Sequence, residues 1–305
     1  MTVKILISDK IFEEGIKLLE KKGYQVTRAW DTPKTELPKI IADYDVLIVR
    51  SATKVRGELL DNAKKLKVIG RAGEGLDNID FERAKTLGIA LVNTPHVSYI
   101  SVAELTIGHL LALSRNIVQG TISLREGKWD KEKLIGTEVD GKVLGIIGCG
   151  YIGKAVERLA MALGMEVLPV EECVYDRFVP LAKMLPQADY ITIHVPLTAH
   201  TRHMISTKEF NMMKDGVMLI DCSRGGVVDQ EALYQALVSG KVKGAAVDVF
   251  EEEPPKNSKL LTLNNVIATP HIGAQTYEAQ LKASVQIAKA VIEALEKIRR
   301  AETFG

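Results

Sequence analysis

Three stretches late in the sequence place ionisable side chains where they could do chemistry. They are Asp221-Cys222-Ser223-Arg224-Gly225-Gly226, Asp248-Val249-Phe250-Glu251-Glu252-Glu253-Pro254-Pro255 and Pro270-His271-Ile272-Gly273-Ala274. The planar guanidinium of an arginine suits a carboxylate ligand, and a histidine held by a carboxylate is a general acid–base. Taken singly, each stretch has an ordinary explanation: a surface arginine, a solvated turn and a structural histidine. Together they indicate a site that binds an anion and transfers a proton.

An earlier stretch has the form of a nucleotide-binding turn. The apolar run Val143–Ile147 precedes Gly148-Cys149-Gly150-Tyr151-Ile152-Gly153, and a helical pattern, a second apolar run and Glu171 follow. Gly148 allows a tight turn, Gly150 lets backbone N–H groups approach a pyrophosphate, and Gly153 lets the helix lie close to the strand. A bare GxGxxG is a weak signal. Strand, turn, helix, strand and acid within about thirty residues predict a dinucleotide site.

A nicotinamide dinucleotide would complete the chemistry of the late stretches. The histidine would take a hydroxyl proton as hydride leaves carbon, and the arginine would fix a substrate carboxylate and polarise the adjacent carbonyl. The predicted reaction is hydride transfer on a small anionic 2-hydroxy acid, with no metal. Glu171 would accept hydrogen bonds from a ribose diol and repel a 2′-phosphate, which favours NAD, although the nearby Arg177 leaves NADP open.

The bulk properties of the sequence are those of a globular protein with room for two domains. It has 305 residues, 46% hydrophobic and 26% charged. The net charge of +1 gives no reason to expect nucleic acid or an anionic membrane as a partner. No apolar run approaches membrane-spanning length, and the three cysteines show no metal-type spacing. These features predict a soluble, cytoplasmic protein, and the sparse cysteines favour a reducing compartment.

Alternating strands and helices must position these stretches. Buried-strand patterns occur at residues 3–7, 46–49, 68–70, 89–92, 143–147, 165–170, 190–195, 217–220, 245–249 and 265–268. Helical spacing occurs at 11–22, 80–87, 101–115, 151–162 and 275–299. The alternation predicts an α/β fold with parallel sheets covered on both faces, whose ligands bind at the carboxyl ends of the strands. Two units are predicted, the second beginning near residue 96, with the last helix packing back on the first.

The order of these motifs resembles the D-isomer-specific 2-hydroxyacid dehydrogenase family. The glycine turn is followed by Ser-Arg-Gly-Gly, Asp-Val-Phe-x-x-Glu-Pro-Pro and Pro-His-x-Gly-Ala, and the resemblance covers essentially the whole chain. It implies two Rossmann-like, doubly wound parallel-sheet domains with a cleft between them. One is a discontinuous substrate domain, residues 1–95 plus 276–305, and the other an NAD-binding domain, residues 96–275. It also implies Arg224, Glu253 and His271 as catalytic residues, and a homodimer joined through the cofactor domain.

The resemblance also implies the remaining site residues. Those expected at the cofactor are Gly148, Gly150, Tyr151, Ile152, Gly153, Glu171, Val195, Cys222, Ser223, Asp248, Gly273 and Ala274. Those expected at the substrate are Arg50, Ser51, Lys54, Gly73, Glu74 and Gly75. A solvated loop explains Arg50, Ser51 and Lys54 equally well.

Three positions depart from the family pattern. Tyr151 stands where arginine is usual in the branch that this chain most resembles, and Glu74 stands where a small or apolar residue is usual, so that it could repel an anionic substrate. Pro169 lies inside the strand after the glycine turn, and the segment up to residue 188 looks short, which predicts a reduced helix there. The sequence shows no regulatory domain after the last helix, so feedback control through one is not expected.

One reaction is expected and two alternatives stay open. Arg50-Ser51-Ala52-Thr53-Lys54-Val55 and Gly70-Arg71-Ala72-Gly73 are typical of family members that use NAD to oxidise 3-phospho-D-glycerate to 3-phosphohydroxypyruvate, the first step toward serine. The first alternative is reduction of glyoxylate, hydroxypyruvate or another 2-keto acid, because pocket shape separates these substrates. The second is a corepressor-like protein that senses a dinucleotide, against which the short chain argues.

Overall fold

The computed structural model describes residues 2–170 and 178–304, without the side chains of residues 303 and 304. The chain forms two compact units, Met1–Ser98 with Gln275–Gly305 and Tyr99–Ala274. The strands are β1 Lys4–Ile7, β2 Gln25–Arg28, β3 Val46–Val49, β4 Val68–Arg71, β5 Ala90–Asn93, β6 Val143–Ile147, β7 Glu166–Pro169, β8 Tyr190–Ile193, β9 Val217–Asp221, β10 Val242–Val247 and β11 Val266–Ala268. The helices are α1 Glu13–Lys21, α2 Leu37–Ile40, α3 Glu58–Asp61, α4 Phe81–Thr86, α5 Tyr99–Ser114, α6 Ile117–Arg125, α7 Tyr151–Ala162, α8 Leu181–Met184, α9 Thr207–Met212, α10 Gln230–Val238 and α11 Tyr277–Phe304. Short 3-10 turns lie at Lys34–Glu36, Ile41–Asp43, Lys131–Lys133 and Lys259–Thr262.

The first unit is built on a parallel sheet with strand order β2-β1-β3-β4-β5. Successive residues of a strand point to opposite faces, so Ile5 and Ile7 join one apolar core while Leu6 joins the other. Helices α1 and α11 cover the first face, and α2, α3 and α4 supply apolar residues to the second. Both faces are buried, which is why these strands are continuous apolar runs.

The last helix, α11, packs directly on α1 and on the sheet of the first unit. A Cβ at Gly15 of α1 would overlap the carbonyl oxygen of Ser284, and Gly70 of β4 faces Ile287 and Val291. The hydroxyl of Ser284 accepts the backbone N–H of Phe12 at 2.9 Å, just before α1 begins. The first unit is therefore built from both ends of the chain.

The second unit is built on a parallel sheet with strand order β11-β10-β9-β8-β6-β7 among the described residues. Its two faces alternate in the same way, with Ile147 and Leu219 in one core and Ile146 and Ile220 in the other. Residues of α9 and α10 line the first core, and residues of α5 and α7 line the second. The predicted α/β class, with two doubly wound parallel-sheet units, is confirmed.

The strand after the glycine turn tolerates its proline because of where it lies. Pro169 is the last residue of β7, which pairs only with β6 within the described chain and forms an edge of the sheet. An edge strand does not need every backbone N–H for a ladder. Residues 171–177, with Glu171 and Arg177, lie outside the described part of the chain. Helix α8, which follows them, is a single turn.

In the described ranges, no helix combines the length and apolar character that crossing a membrane requires.

Candidate active site

The three late ionisable stretches follow three adjacent strands of the second unit. Arg224 follows β9, Glu253 follows β10 and His271 follows β11. Parallel strands end at the same edge of a sheet, so the three turns meet at the carboxyl edge, where open α/β sheets bind their ligands.

His271 and Glu253 form a direct pair. Nδ1 of His271 lies 2.9 Å from each carboxylate oxygen of Glu253, and the backbone N–H of Phe250 donates to the same carboxylate at 3.3 Å. Burial alone would raise the pKa of Glu253, but the hydrogen bond and charge of His271 and the charge of Arg224 hold this pKa below its ordinary value. With Nδ1 engaged, Nε2 is the nitrogen able to exchange a proton with a bound molecule.

The turn that carries Arg224 is held tightly against the segment leading to Glu253. A Cβ at Gly225 would overlap the carbonyl oxygen of Phe250, so only glycine permits this approach. Asp221 accepts the backbone N–H of Ser223 at 3.0 Å and its hydroxyl at 2.6 Å, and Arg224 donates to the carbonyl of Ser223 at 2.8 Å. Burial raises the pKa of Asp221 to about 6, against the effect of the Ser223 hydrogen bonds. The backbone that carries the side chain of Arg224 is therefore fixed.

The glycine turn has the geometry of a pyrophosphate cradle. Gly148 has φ +93, and a Cβ there would lie 2.8 Å from the carbonyl carbon of His194, while a Cβ at Gly153 would overlap the carbonyl oxygen of Gly148. At Gly150, directly before α7, a Cβ would meet nothing within 4 Å. The first N–H groups of a helix have no partner inside it, and the helix dipole favours an anion there. The open space at Gly150 thus fits the phosphates of a dinucleotide.

The other residues expected at the cofactor occupy the same unit, except for Glu171, which lies outside the described residues. Cys222, Ser223 and Asp248 are buried directly after strand ends, Val195 is buried two residues after β8, and Gly273 is buried in the turn that follows β11. Ile152 is half-buried and packs on the core of the second unit, as part of the first turn of α7.

Two residues of the glycine turn, Tyr151 and Cys149, have surroundings that the sequence did not predict. Tyr151 is exposed, and its ring lies 5.9 Å from that of Tyr99 in an edge contact. Cys149 is disulfide-bonded, which is at odds with the reducing compartment that the sparse cysteines favoured. Cys222 is a free, buried thiol whose pKa is raised by burial.

The loop with Arg50, Ser51 and Lys54 lies in the first unit and is held at both ends. Asp9 accepts the backbone N–H groups of Arg50 and Thr53 at 2.8 and 3.0 Å and the Thr53 hydroxyl at 2.7 Å. The side-chain amide of Asn78 donates to the carbonyl oxygens of Arg50 and Thr53 at 2.8 and 2.7 Å. Ser51 and Lys54 are exposed on this loop. Hydrogen bonds therefore fix the backbone of this loop at Arg50 and Thr53.

The remaining residues expected at the substrate follow β4. Gly73 lies so close to Arg71 that a Cβ would overlap the guanidinium, and Gly75 is half-buried. Glu74 is exposed, and its carboxylate lies 3.6 Å from Nδ1 of His96.

The supporting roles of several residues were not predicted from the sequence. Asp9, Asn78, Thr269 and His109 each contact a turn that carries a predicted site residue. A second histidine–carboxylate pair joins His203 and Glu251 at 3.2 Å. An acid close after a buried strand is the one signal that could have revealed Asp9, which is the second residue after β1, since Asp248 similarly follows β10 directly.

Comparison with known proteins identifies the family. The model of the D-isomer specific 2-hydroxyacid dehydrogenase NAD binding domain matches residues 107–273. D-3-phosphoglycerate dehydrogenase of Methanocaldococcus jannaschii is 48% identical, over 98% of this chain and 58% of the relative. Hydroxypyruvate reductase of Thermotoga maritima is 45% identical, over 96% of this chain and 98% of the relative. The crystal structure of D-lactate dehydrogenase from Aquifex aeolicus, complexed with NAD and lactic acid, gives a TM-score of 0.81 at 30% identity and covers 96% of this chain and 95% of that one.

The chain belongs to the D-isomer specific 2-hydroxyacid dehydrogenase family. The family match and the NAD cofactor predicted from the sequence are confirmed, and the matched NAD-binding region contains the glycine turn, Arg224, Glu253 and His271. The chain spans just over half the length of the Methanocaldococcus jannaschii relative, at 58%.

Proposed function

We propose that the protein uses NAD to oxidise 3-phospho-D-glycerate to 3-phosphohydroxypyruvate, the first step toward serine. The observation that carries this proposal is the pair of His271 and Glu253 at 2.9 Å, within the electrostatic reach of Arg224. The 48% identity to a relative named D-3-phosphoglycerate dehydrogenase supports the choice of substrate.

Each residue of the trio has one task in this reaction. Nε2 of His271 accepts the proton of the substrate hydroxyl, and Glu253 stabilises the imidazolium that results. Arg224 binds the substrate carboxylate with its planar fork and holds the carbinol carbon in place. NAD, held at the glycine turn of residues 148–153, supplies the acceptor for the hydride that leaves this carbon.

The fixed loop of the first unit supports a role at the anionic end of the substrate. We propose that Arg50, Ser51 and Lys54 bind that end, and that the turn Gly73–Gly75 contacts the carbon chain of the substrate. Asp9 and Asn78 hold the loop by five hydrogen bonds, so its donors need little ordering when a substrate binds. The first unit then acts as the substrate domain and the second as the cofactor domain.

Reduction of hydroxypyruvate or glyoxylate is the second candidate, and two observations favour it. The match to the Thermotoga maritima hydroxypyruvate reductase extends over 98% of that relative. Glu74 adds an exposed carboxylate, which would repel a phosphate ester. The same trio would run the reaction in reverse, with His271 donating the proton.

Initial rates on a substrate panel separate the candidates. NAD with 3-phosphoglycerate is compared with NADH plus hydroxypyruvate and NADH plus glyoxylate, and each assay is repeated with NADP or NADPH. We expect turnover of 3-phosphoglycerate with NAD and its loss in His271→Ala. If the protein does not oxidise 3-phosphoglycerate but reduces hydroxypyruvate strongly, the first candidate is contradicted and the reductase is supported. A parent inactive on every hydroxy acid would favour the corepressor-like dinucleotide sensor.

We also propose that the protein is a homodimer, because large apolar side chains are exposed in and after α6. Trp129 is 82% and Ile135 is 81% exposed, and Leu124 and Ile117 of α6 are exposed as well. The cytoplasmic location stays a prediction from the sequence, with the disulfide at Cys149 as an argument against it.

A further inference from the structure

The turn that carries His271 is bound on both sides by one buried carboxylate. Asp248 is 1% exposed. Its Oδ1 accepts the hydroxyl of Thr269 at 2.6 Å and the backbone N–H of Ile272 at 2.8 Å, and its Oδ2 accepts the backbone N–H of Gly273 at 2.8 Å. A carboxylate offers about four acceptor sites. Three of them are used within the five residues 269–273.

His271 itself needs such support. Its φ is +51, in the left-handed region that costs a residue with a Cβ on the order of 1 kcal/mol or more. Its backbone N–H donates to the carbonyl of Thr269 at 3.0 Å, which closes the turn from one side only. The hydroxyl of Thr269 and the N–H groups of Ile272 and Gly273 pull both ends of the turn toward Asp248.

His109 of α5 lies behind this arrangement. It is 5% exposed, and its Nε2 is 3.4 Å from the hydroxyl oxygen of Thr269. The single hydroxyl hydrogen of Thr269 goes to Asp248, so Nε2 of His109 must be the donor in this long contact. Nδ1 of His109 is buried without a hydrogen-bond partner among the described residues, as expected of a bare lone pair. Burial lowers the pKa of His109, with the charge of Asp248 opposing, which keeps the imidazole neutral.

We propose that Thr269 and Asp248 are positioning residues that hold the imidazole of His271 against Glu253. The hydroxyl of Thr269 is the link that joins the residue before the turn to the carboxylate that binds the residues after it. This assignment rests on the proposed function, in which His271 is the acid–base, and it gives Asp248 a task besides the cofactor contact expected from the sequence. Neither residue accepts the substrate proton, so their effect passes through the geometry of His271.

Thr269→Val tests the link, because valine keeps the shape of threonine and removes the hydroxyl. A misplaced acid–base costs rate rather than cofactor affinity, so we expect kcat to fall about tenfold while the Kd for NADH, from its fluorescence, changes less than about twofold. A looser pair also raises the pKa of Glu253, which carbon-13 NMR of its carboxyl group measures. Thr269→Ser restores both kcat and the pKa of Glu253. Ser114→Ala, which removes a buried hydroxyl bonded to Leu110 and Tyr190, leaves both unchanged.

Two outcomes overturn the proposal. One is a Thr269→Val protein with the parent's kcat and the parent's pKa of Glu253, and the other is an equal loss of kcat in Thr269→Ser and Thr269→Val. If Thr269→Val does not fold, Thr269→Ala, which only removes atoms, takes its place.

A parent without hydroxy-acid turnover would contradict the proposed function and leave the positioning testable by NMR. The carboxyl of Glu253 is then titrated by carbon-13 NMR in the parent and in Thr269→Val. A higher pKa in the variant supports the link, and an identical pKa overturns it.

Discussion

At the scale of single residues, buried carboxylates behind strand ends fix the turns that carry the site. Asp9 stands behind β1, Asp221 ends β9 and Asp248 follows β10. Each accepts a backbone N–H and a hydroxyl from the turn it holds. Charge-assisted hydrogen bonds of this kind are stronger than neutral ones. A short side chain can therefore hold several backbone groups at once.

Asp221→Asn should change the pH dependence of stability. Its pKa in the fold, about 6, lies above the ordinary value of 3.8, so the folded state holds the proton more tightly than the unfolded chain. The stabilisation is complete below pH 3.8 and is lost as pH rises through 6. Asparagine keeps the acceptor oxygen for Ser223 without ionising. We expect the variant to gain about 2–3 kcal/mol on the parent between pH 4 and pH 7, measured by urea unfolding across that range.

The control is Asp215→Asn, which removes an aspartate that is 91% exposed and pairs with Lys241. A difference between the Asp221→Asn protein and its parent that stays constant from pH 4 to pH 7 would contradict the raised pKa.

Arg224→Lys should damage substrate binding while it leaves the charge in place. Lysine cannot form the bidentate pair with a carboxylate that the guanidinium forms, and a charge-assisted hydrogen bond contributes about 1.5–3 kcal/mol. We expect kcat/KM to fall about tenfold to a hundredfold at an unchanged Kd for NADH. Arg83→Lys, at an exposed arginine that pairs with Asp61, is the matched control. An Arg224→Lys protein with the parent's kcat/KM would exclude Arg224 as the carboxylate ligand.

The sequence predicted the trio but not the residues that support it. Arg224, Glu253 and His271 belong to short motifs with characteristic glycines and prolines, so each motif can be recognised locally. The partner of Thr269 on α5 is His109, which lies far away in the chain. No local sequence pattern near either residue predicts this contact, since only the packing of α5 on the sheet brings the two side chains together. Residue-level support of this kind depends on tertiary structure.

At the scale of elements, the buried strands were the easiest to predict. The run at residues 46–49 is β3 exactly as predicted, because a strand covered on both faces is apolar throughout. Strand β2, Gln25–Arg28, was missed because it is an edge strand with an exposed residue at each end. Helix α10 was missed as well, although Asp229 caps it through the backbone N–H groups of Glu231 and Ala232.

Gly15→Ala should destabilise the first unit by forcing α1 away from α11. The added Cβ would overlap the backbone carbonyl of Ser284, which cannot move without shifting α11. Overpacking of this kind costs about 1–3 kcal/mol, and we expect a corresponding fall in the free energy of unfolding and in Tm. The matched control is Gly108→Ala in α5, where a Cβ meets nothing within 4 Å. There the helix propensity of alanine should add about 0.5–1 kcal/mol.

Equal stability of Gly15→Ala and the parent would show that the two helices are not in backbone contact. Loss of stability in Gly108→Ala as well would assign the effect to helical glycines in general rather than to the crossing of α1 and α11.

At the scale of the whole molecule, the sequence pattern predicted the α/β class because both units repeat one rule. Strands alternate with helices, and the predicted site residues follow the carboxyl ends of strands in each unit. What the pattern could not predict is the substrate, since the exposed residues after β3 and β4 are not part of the apolar pattern that defines the fold. Glu74 and His96 illustrate this, because their contact at 3.6 Å joins two side chains that lie far apart in the sequence.

The exposed apolar side chains in and after α6 lead to a prediction about assembly. Trp129 and Ile135 are more than 80% exposed in the single chain, and large apolar surface of this kind is typical of an interface between subunits. We expect the parent to be a dimer by light scattering after size exclusion at micromolar concentration. Trp129→Asp with Ile135→Asp should be a monomer, because burying two unpaired carboxylates would cost far more than the apolar contacts return.

Val238→Asp is the control, since Val238 is 58% exposed at the end of α10 and lies outside the segment around α6. It should remain a dimer and shows whether one added surface charge alone disturbs the assembly. A monomeric parent, or a double variant that still runs as a dimer, would contradict an interface built on Trp129 and Ile135. Circular dichroism of the monomer should match that of the parent, because neither side chain contributes to the apolar cores of the second unit.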